Sequence, residues 1–236
     1  MKDSPENLTK STRKIPRPAK KRIFLVDDHP MMRAGLAQLI NRQPDMCVCA
    51  EAGQPSEVFS LFSQAKPDLI LTDLTMPGRG GIEFIKDLIA LQPDLPILVN
   101  SMHDEGIYAE RCLRAGARGY IMKEAGSENL LAALRRVIGG QTHVSSGVSE
   151  SILGNLSARK PRGSDSPIQA LSDREFEVFQ LVGLGKSTRE IAEELHLSPK
   201  TVDVHRGHIR EKLGLKDVTA LVRYAVRWLE TQNSTS

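Results

Sequence analysis

Leu69-Ile70-Leu71-Thr72-Asp73-Leu74-Thr75-Met76-Pro77-Gly78 decides the fold. Its first four residues favour a buried strand, that strand runs into a carboxylate, and Pro77-Gly78 forces a turn directly afterwards. Asp73 is therefore expected at the carboxyl end of a strand, facing a loop. In an open parallel sheet that edge is where ligands bind. A single Asp there also serves as an ordinary helix cap, so its meaning depends on what the other strands carry at the same edge.

Outward from this stretch the pattern alternates. Ile23-Phe24-Leu25-Val26 predicts a strand ending in Asp27-Asp28, and Pro30 opens a helix with Met32, Leu36, Leu39 and Ile40 on one face. Met46 to Ala50 predicts a second strand, and a helix through Val58, Leu61 and Phe62 leads to the strand before Asp73. Gly80-Gly81 starts a helix with Ile82, Ile85, Leu88 and Ile89 inward; Pro96 to Ser101 is a fourth strand; Gly106 to Ala115 is helical; Gly119 to Met122 is a fifth strand; and Ser127 to Ile138 closes the unit. Strands alternating with helices in this way require a parallel sheet covered on both faces, for which the order 2-1-3-4-5 is the common solution at this size.

Beyond Gly139-Gly140, Val148 to Leu156 predicts a helical turn or two, and Ser157 to Pro167 is Ser/Pro/Arg/Gly-rich without periodicity, as in a flexible linker. From Leu171 the pattern is purely helical. Ser172 or Asp173 caps a helix through Phe176, Val178, Phe179, Leu181 and Val182 that Gly183 and Gly185 close; Thr188 to Leu195 is a second; Ser198-Pro199 starts a third that runs to Leu213; and Val218 to Leu229 is the last.

Charge is unevenly spread. Residues 1–22 hold eight Lys/Arg against two acids, residues 23–146 eleven against fifteen, and residues 167–236 balance at zero. The stretch 1–21, rich in Lys, Arg and Pro with few apolar residues, is expected to be disordered, as a solubilising extension, an alternative start or a basic arm that attracts nucleic acid. No run reaches the 18 or so apolar residues that span a bilayer, and the first twenty residues lack the apolar middle of a signal peptide, so the cytoplasm is the expected compartment and no membrane partner is expected. Cys47, Cys49 and Cys112 are odd in number and lack metal spacing, as expected of buried, reduced thiols.

Asp27, Asp28, Asp73, Ser101 and Lys123 all fall at strand ends and so converge on one edge of the sheet. Three crowded carboxylates repel, and a hard divalent cation among oxygen ligands relieves them. Mg²⁺ suits this, since it keeps waters and takes one or two carboxylates plus a phosphate. A carboxylate beside it can act as nucleophile toward phosphorus, with Lys123 pairing the added charge and the Ser101 hydroxyl donating to a phosphoryl oxygen.

Val26-Asp27-Asp28-His29, Leu71 to Pro77, Ser101-Met102-His103-Asp104-Glu105 and Gly116 to Lys123 resemble the receiver domain of two-component response regulators of the NarL/FixJ type, over about residues 22–140. The resemblance implies that Asp73 accepts a phosphoryl group from a cognate histidine kinase. It further implies that Asp28, Asp73 and the Thr75 backbone carbonyl hold Mg²⁺ with Asp27 assisting through water, and that Ser101 and Tyr120 are a switch pair, Tyr120 turning inward. Asn100 stands where the family usually has an aliphatic residue.

In the third C-terminal helix, Val202, Ile209 and Leu213 are predicted inward with His205 close by, and Lys200, Val204, Gly207, His208 and Glu211 opposite. An outward Val is odd unless something apolar meets it, and a thymine methyl in the major groove is one candidate. Two helices about the short turn His196-Leu197 make a helix-turn-helix. His205 lacks metal-ligand partners at its spacing and reads as packed or phosphate-contacting. Leu171 to Glu175, Ser187 to Ala192, Leu197 to Val202 and Lys212-Leu213-Gly214 resemble the LuxR-type DNA-binding domain, over about 168–230. That resemblance implies contacts to double-stranded DNA from Ser198, Lys200, Thr201, Val204, His205, Arg206, His208 and Arg210, pairing of two copies through the last helix, and RNA polymerase as a further partner. Asp203 and Gly207 depart from positions that often carry Lys or other donors.

The organisation expected is thus a tail (1–21), a flavodoxin-like α/β receiver (22–140), a linker (141–167) and an all-α four-helix LuxR-type domain (168–232), acting as a regulator and not an enzyme. The unphosphorylated receiver is expected to dock on the second domain and hide helix 198–213. Two other functions stay open: a Mg²⁺-dependent phosphohydrolase, whose signature wants a second Asp where Thr75 stands, and a LuxR-type regulator that works without phosphorylation.

Overall fold

The computed structural model describes residues 19–76, 81–157, 167–195 and 197–233. The tail as far as residue 18, the Pro77-Gly78 turn, residues 158–166 of the linker and His196 lie outside the described residues.

The first unit runs β1 (Lys21–Val26), α1 (Pro30–Asn41), β2 (Met46–Ala52), α2 (Pro55–Ala65), β3 (Leu69–Thr72), α3 (Gly81–Leu91), β4 (Ile97–Ser101), α4 (Glu105–Arg114), β5 (Gly119–Met122) and α5 (Ser127–Ile138). The five strands form one parallel sheet in the order β2-β1-β3-β4-β5. Alternate strand residues feed two apolar layers. Phe24, Val26, Ile70, Ile97, Val99 and Tyr120 pack with α2, α3 and α4, while Ile23, Leu25, Leu69, Leu71, Leu98 and Ile121 pack with α1 and α5. A sheet buried on both faces needs such continuous apolar strands. Met32, read as inward, is 39 % exposed, because it lies in the first turn of α1 before that helix closes on the sheet. Cys112 is buried and Cys47 and Cys49 half-buried, all three as free thiols; burial pushes the Cys112 thiol up to about 12.

The order reverses between β1 and β3, which opens a crevice at their carboxyl ends. Val26 lies opposite Thr72 in the ladder, and the Asp73 amide donates to the Val26 carbonyl at 2.9 Å. The next residues, Asp27 and Asp73, are thereby fixed side by side at the crevice.

After α5 the chain stays on this unit. His143 bridges to Gly119 beside β5, and α6 (Ser146–Ser157) packs on α4 as a helix of 12 residues, longer than the turn or two predicted. The second unit comprises a 3-10 turn (Pro167–Ala170) and helices α7 (Asp173–Gly183), α8 (Thr188–Glu194), α9 (Pro199–Leu213) and α10 (Val218–Asn233). Its core is Phe176, Val178, Phe179, Val182, Ile191, Val202, Ile209, Leu221 and Ala225. Ser172 with Glu175 and Ser187 with Glu190 form reciprocal capping boxes at α7 and α8, and Ser198 caps α9 ahead of Pro199.

The two units meet along α3 and α4 of the first and α7 of the second. Arg111 donates to the carbonyls of Leu171 (3.1 Å) and Ile168 (2.9 Å), reaches Asp173 at 3.2 Å, and lies over the Phe176 ring at 4.2 Å. Lys86 pairs with Asp173 at 2.7 Å, and the Tyr108 hydroxyl donates to Gln180 Oε1. Gly81, at φ +64°, admits Glu177 so closely that a Cβ there would stand 2.7 Å from Glu177 Oε1. This corrects the expectation that docking hides helix 198–213: Lys200, Val204, His208 and Glu211 of α9 are exposed, and the seam falls on α7.

Candidate functional site

At the crevice, Lys123 emerges from the end of β5 and donates to Asp27 Oδ2 at 2.8 Å and Asp73 Oδ2 at 2.7 Å. All three side chains are nearly sealed from solvent. Burial pulls the Lys123 ammonium down, and its bonds to Asp27 and Asp73 more than offset this, so it titrates above its ordinary value. The other oxygens are held by backbone. Asp27 Oδ1 accepts from the His29 amide (2.8 Å), and Asp73 Oδ1 from the amides of Leu74 (2.6 Å) and Thr75 (3.3 Å).

One cation against three carboxylates leaves an excess of negative charge. Asp27, Asp28, His29 and Asp73 present ligand atoms within 4.8 Å of one another. Asp28 Oδ1 is buried and receives no hydrogen bond among the described residues, with His29 Nδ1 2.8 Å away as its charged neighbour when protonated. An unsatisfied buried carboxylate oxygen is costly. A hard divalent cation fits this donor set, and the pocket is the acidic kind at which receiver domains bind Mg²⁺.

Ser101 and Tyr120 lie on the same side of the sheet, both fully buried. Ser101 Oγ accepts from the His103 amide (3.3 Å), and the Tyr120 hydroxyl donates to the His103 carbonyl (2.8 Å). Tyr120 thus points inward. Asn100, by strand alternation, shares the face of Leu98 toward α1 and α5 and stands away from this pair. Two residues not singled out from sequence join the site: His29, adjacent to the acidic pair, and His103, whose Nε2 lies 2.8 Å from Thr75 Oγ1. Burial, opposed by Asp73 and reinforced by Lys123, lowers the His103 imidazole below its ordinary value.

On α9, Lys200, Val204 and His208 face solvent, as the helical pattern predicts. Other candidates are engaged inside the protein. Ser198 Oγ accepts from the Thr201 amide at 3.1 Å, and Arg206 donates to Thr188 Oγ1 at 2.6 Å. Among the described residues His205 Nδ1 and Arg210 Nε are buried without hydrogen-bond partners; burial and the nearby Arg174 keep the His205 imidazole low.

A doubly wound sheet with an acid-and-lysine pocket at its switch point, joined to a helix-turn-helix, defines a sensor module coupled to a nucleic-acid-reading output. Residues 23–135 match the family described as the response regulator receiver domain, and residues 169–225 that described as bacterial regulatory proteins of the luxR family. The oxygen regulatory protein NreC of Staphylococcus aureus (strain bovine RF122 / ET3-1) is 38 % identical over 210 residues, covering 87 % of this chain and 97 % of that protein; NreC of Staphylococcus carnosus (strain TM300) is 36 % identical over the same span. Among solved structures, RcsB of Salmonella enterica serovar Typhimurium, bound to promoter rprA in the presence of phosphomimetic BeF3⁻, superposes with a TM-score of 0.64 at 25 % identity, covering 88 % of this chain and 99 % of that one. A LuxR-family two-component response regulator from Aurantimonas sp. SI85-9A1 gives 0.54 at 34 % identity, over 58 % of this chain and 99 % of that one. The chain belongs to the two-component response regulators of the NarL/FixJ type, phosphorylation-dependent transcription regulators with a receiver and a LuxR-type DNA-binding domain. Among the described residues no helix is long and apolar enough to cross a membrane.

Proposed function

We propose that Asp73 is the phosphoryl acceptor and that its acyl phosphate frees a closed chain to bind DNA as a dimer. The observation that carries this reading is the Lys123 ammonium bonded to both Asp27 and Asp73 beside the unsatisfied oxygen of Asp28. An Asp73 oxygen attacks the phosphorus of a kinase phosphohistidine; the O–P bond forms as the N–P bond breaks, and the imidazole departs. Asp28, Asp73 and the Thr75 carbonyl would hold Mg²⁺, with Asp27 assisting through water, and the ion when bound would supply charge screening for the phosphoryl oxygens. Lys123 pairs with the charge that the phosphoryl group adds, and the Ser101 hydroxyl donates to a phosphoryl oxygen. The acceptor is consumed once per signal, so the chain is a switch and not a turnover catalyst.

The output is a population shift. Moving a chain from 1:99 to 99:1 open needs about 5.5 kcal/mol of differential stabilisation, drawn here from the phosphoryl contacts and a new dimer contact. In the open form α9 enters the major groove with Lys200, Val204 and His208 leading and Ser198 and Thr201 at its start, while His205, Arg206 and Arg210 stay engaged inside the domain, and α10 pairs two copies. The promoter-bound RcsB likeness supports this use of the second domain. Intact-mass analysis after incubation with acetyl phosphate and Mg²⁺ tests the first step. Wild type gains one phosphoryl group and Asp73→Asn gains none; equal gain by both overturns the assignment.

A further inference from the structure

Between Asp73 and the seam lies a short run of contacts through a residue outside the switch pair. His103 is held at its ring by Thr75 Oγ1 (2.8 Å) and at its amide by Ser101 Oγ (3.3 Å). Both hydroxyls flank the acceptor: Thr75 is two residues beyond Asp73, and Ser101 ends the strand next to β3. The His103 ring stacks on Tyr108, centroids 4.7 Å apart at 26°. Tyr108 in turn meets Phe176 of α7 edge-on at 5.5 Å and donates its hydroxyl to Gln180. Thr75, His103, Tyr108 and Gln180 also line a single cavity of about 290 Å³ between the two units, so the run follows the wall of one space.

Resting on the reading that Asp73 is phosphorylated, we propose that His103 is the positioning residue that transmits the state of Asp73 to the domain seam through Tyr108. A phosphoryl group carries strong acceptor oxygens and competes for nearby hydroxyl donors. Once Ser101 and Thr75 turn to those oxygens, His103 loses both hydroxyl partners. Its ring leaves the Tyr108 stack, and Tyr108 then loses the orientation that serves Phe176 and Gln180. Arg111 and Lys86 supply the holding contacts of the seam; His103 makes them answer to Asp73.

Trp228, the single tryptophan, reports on the seam: it packs edge-on to Phe176 at 5.7 Å and lines the second interdomain cleft beside Arg111. The test follows Trp228 fluorescence of the full chain with and without acetyl phosphate and Mg²⁺, with the phosphorylated fraction measured by intact mass in each sample. Wild type changes its emission in proportion to that fraction. His103→Phe keeps a ring to stack on Tyr108 and lacks the bond to Thr75; its unphosphorylated emission matches wild type, and the change per phosphorylated molecule is lost. Arg111→Ala, by contrast, starts with the open-form emission. His103→Phe responding as wild type overturns the link, and so does His103→Phe already open without phosphoryl. A wild type that takes up no phosphoryl group overturns instead the assignment of Asp73.

Discussion

Lys123 is the residue whose removal disturbs the pocket most. Without it, two buried carboxylates face each other with no cation between them, and breaking a buried pair from one side costs about 3 kcal/mol. Lys123→Met is expected to lower the urea midpoint accordingly in Mg²⁺-free buffer; an unchanged midpoint contradicts the clamp. On the proposed DNA face, Lys200 is exposed; as a phosphate contact, its replacement in Lys200→Ala should weaken binding uniformly across sequences and flatten the log–log salt slope by about one. Val204, 48 % exposed, should behave differently: Val204→Ser relaxes preference for thymine at one position of DNA selected from a random pool. Asp27, Asp28, Asp73 and Lys123 were legible in the sequence because each ends an apolar strand, and topology then dictates that they meet. His103 was not, because its partner Thr75 lies 28 residues away and periodicity carries no information about contacts between two loops. Arg206 looks like a DNA donor on α9, yet its guanidinium turns to Thr188, a choice set by packing against α8.

At the scale of elements, the caps give the sharpest expectations. Ser172→Ala removes the acceptor at the start of α7 and should cost about 1 kcal/mol in urea unfolding. Glu175 completes that box and also pairs with Lys212 at 2.6 Å. Burial pushes its carboxyl up, but Lys212 and the Ser172 amide and hydroxyl outweigh this and hold it below its ordinary 4.5. A folded-state value below the unfolded one means the stabilisation is present above about pH 4.5 and fades as pH falls through the folded value. Glu175→Gln should therefore be less stable than wild type at pH 7, with the gap closing in acid; a gap independent of pH contradicts the pairing. Strands and capped helices were readable because caps and apolar periodicity are local. The length of α6 was not: its sequence has little apolar periodicity, and it is extended by packing on α4 and by Glu105 accepting from the Ser145 amide at 2.7 Å.

For the whole molecule, the two folds could be read from sequence but their mutual arrangement could not, since Lys86, Arg111, Asp173 and Gln180 look like ordinary solvated side chains until the two surfaces are juxtaposed. The seam leaves the outward face of α9 open; on the function proposed above, closure would therefore restrain how two copies come together on DNA and not access to α9. Arg111→Ala removes the group that holds Leu171, Ile168, Asp173 and Phe176 at once. Unphosphorylated Arg111→Ala should show a larger radius of gyration by solution scattering and DNA affinity approaching that of the phosphorylated wild type; no change in either contradicts the restraint. The most direct test is the affinity for DNA selected from a random pool, measured for wild type and Asp73→Asn, each with and without acetyl phosphate and Mg²⁺. Tighter binding with dimer formation in phosphodonor-treated wild type alone is the predicted result, and equal affinity and oligomeric state in all four samples would contradict it.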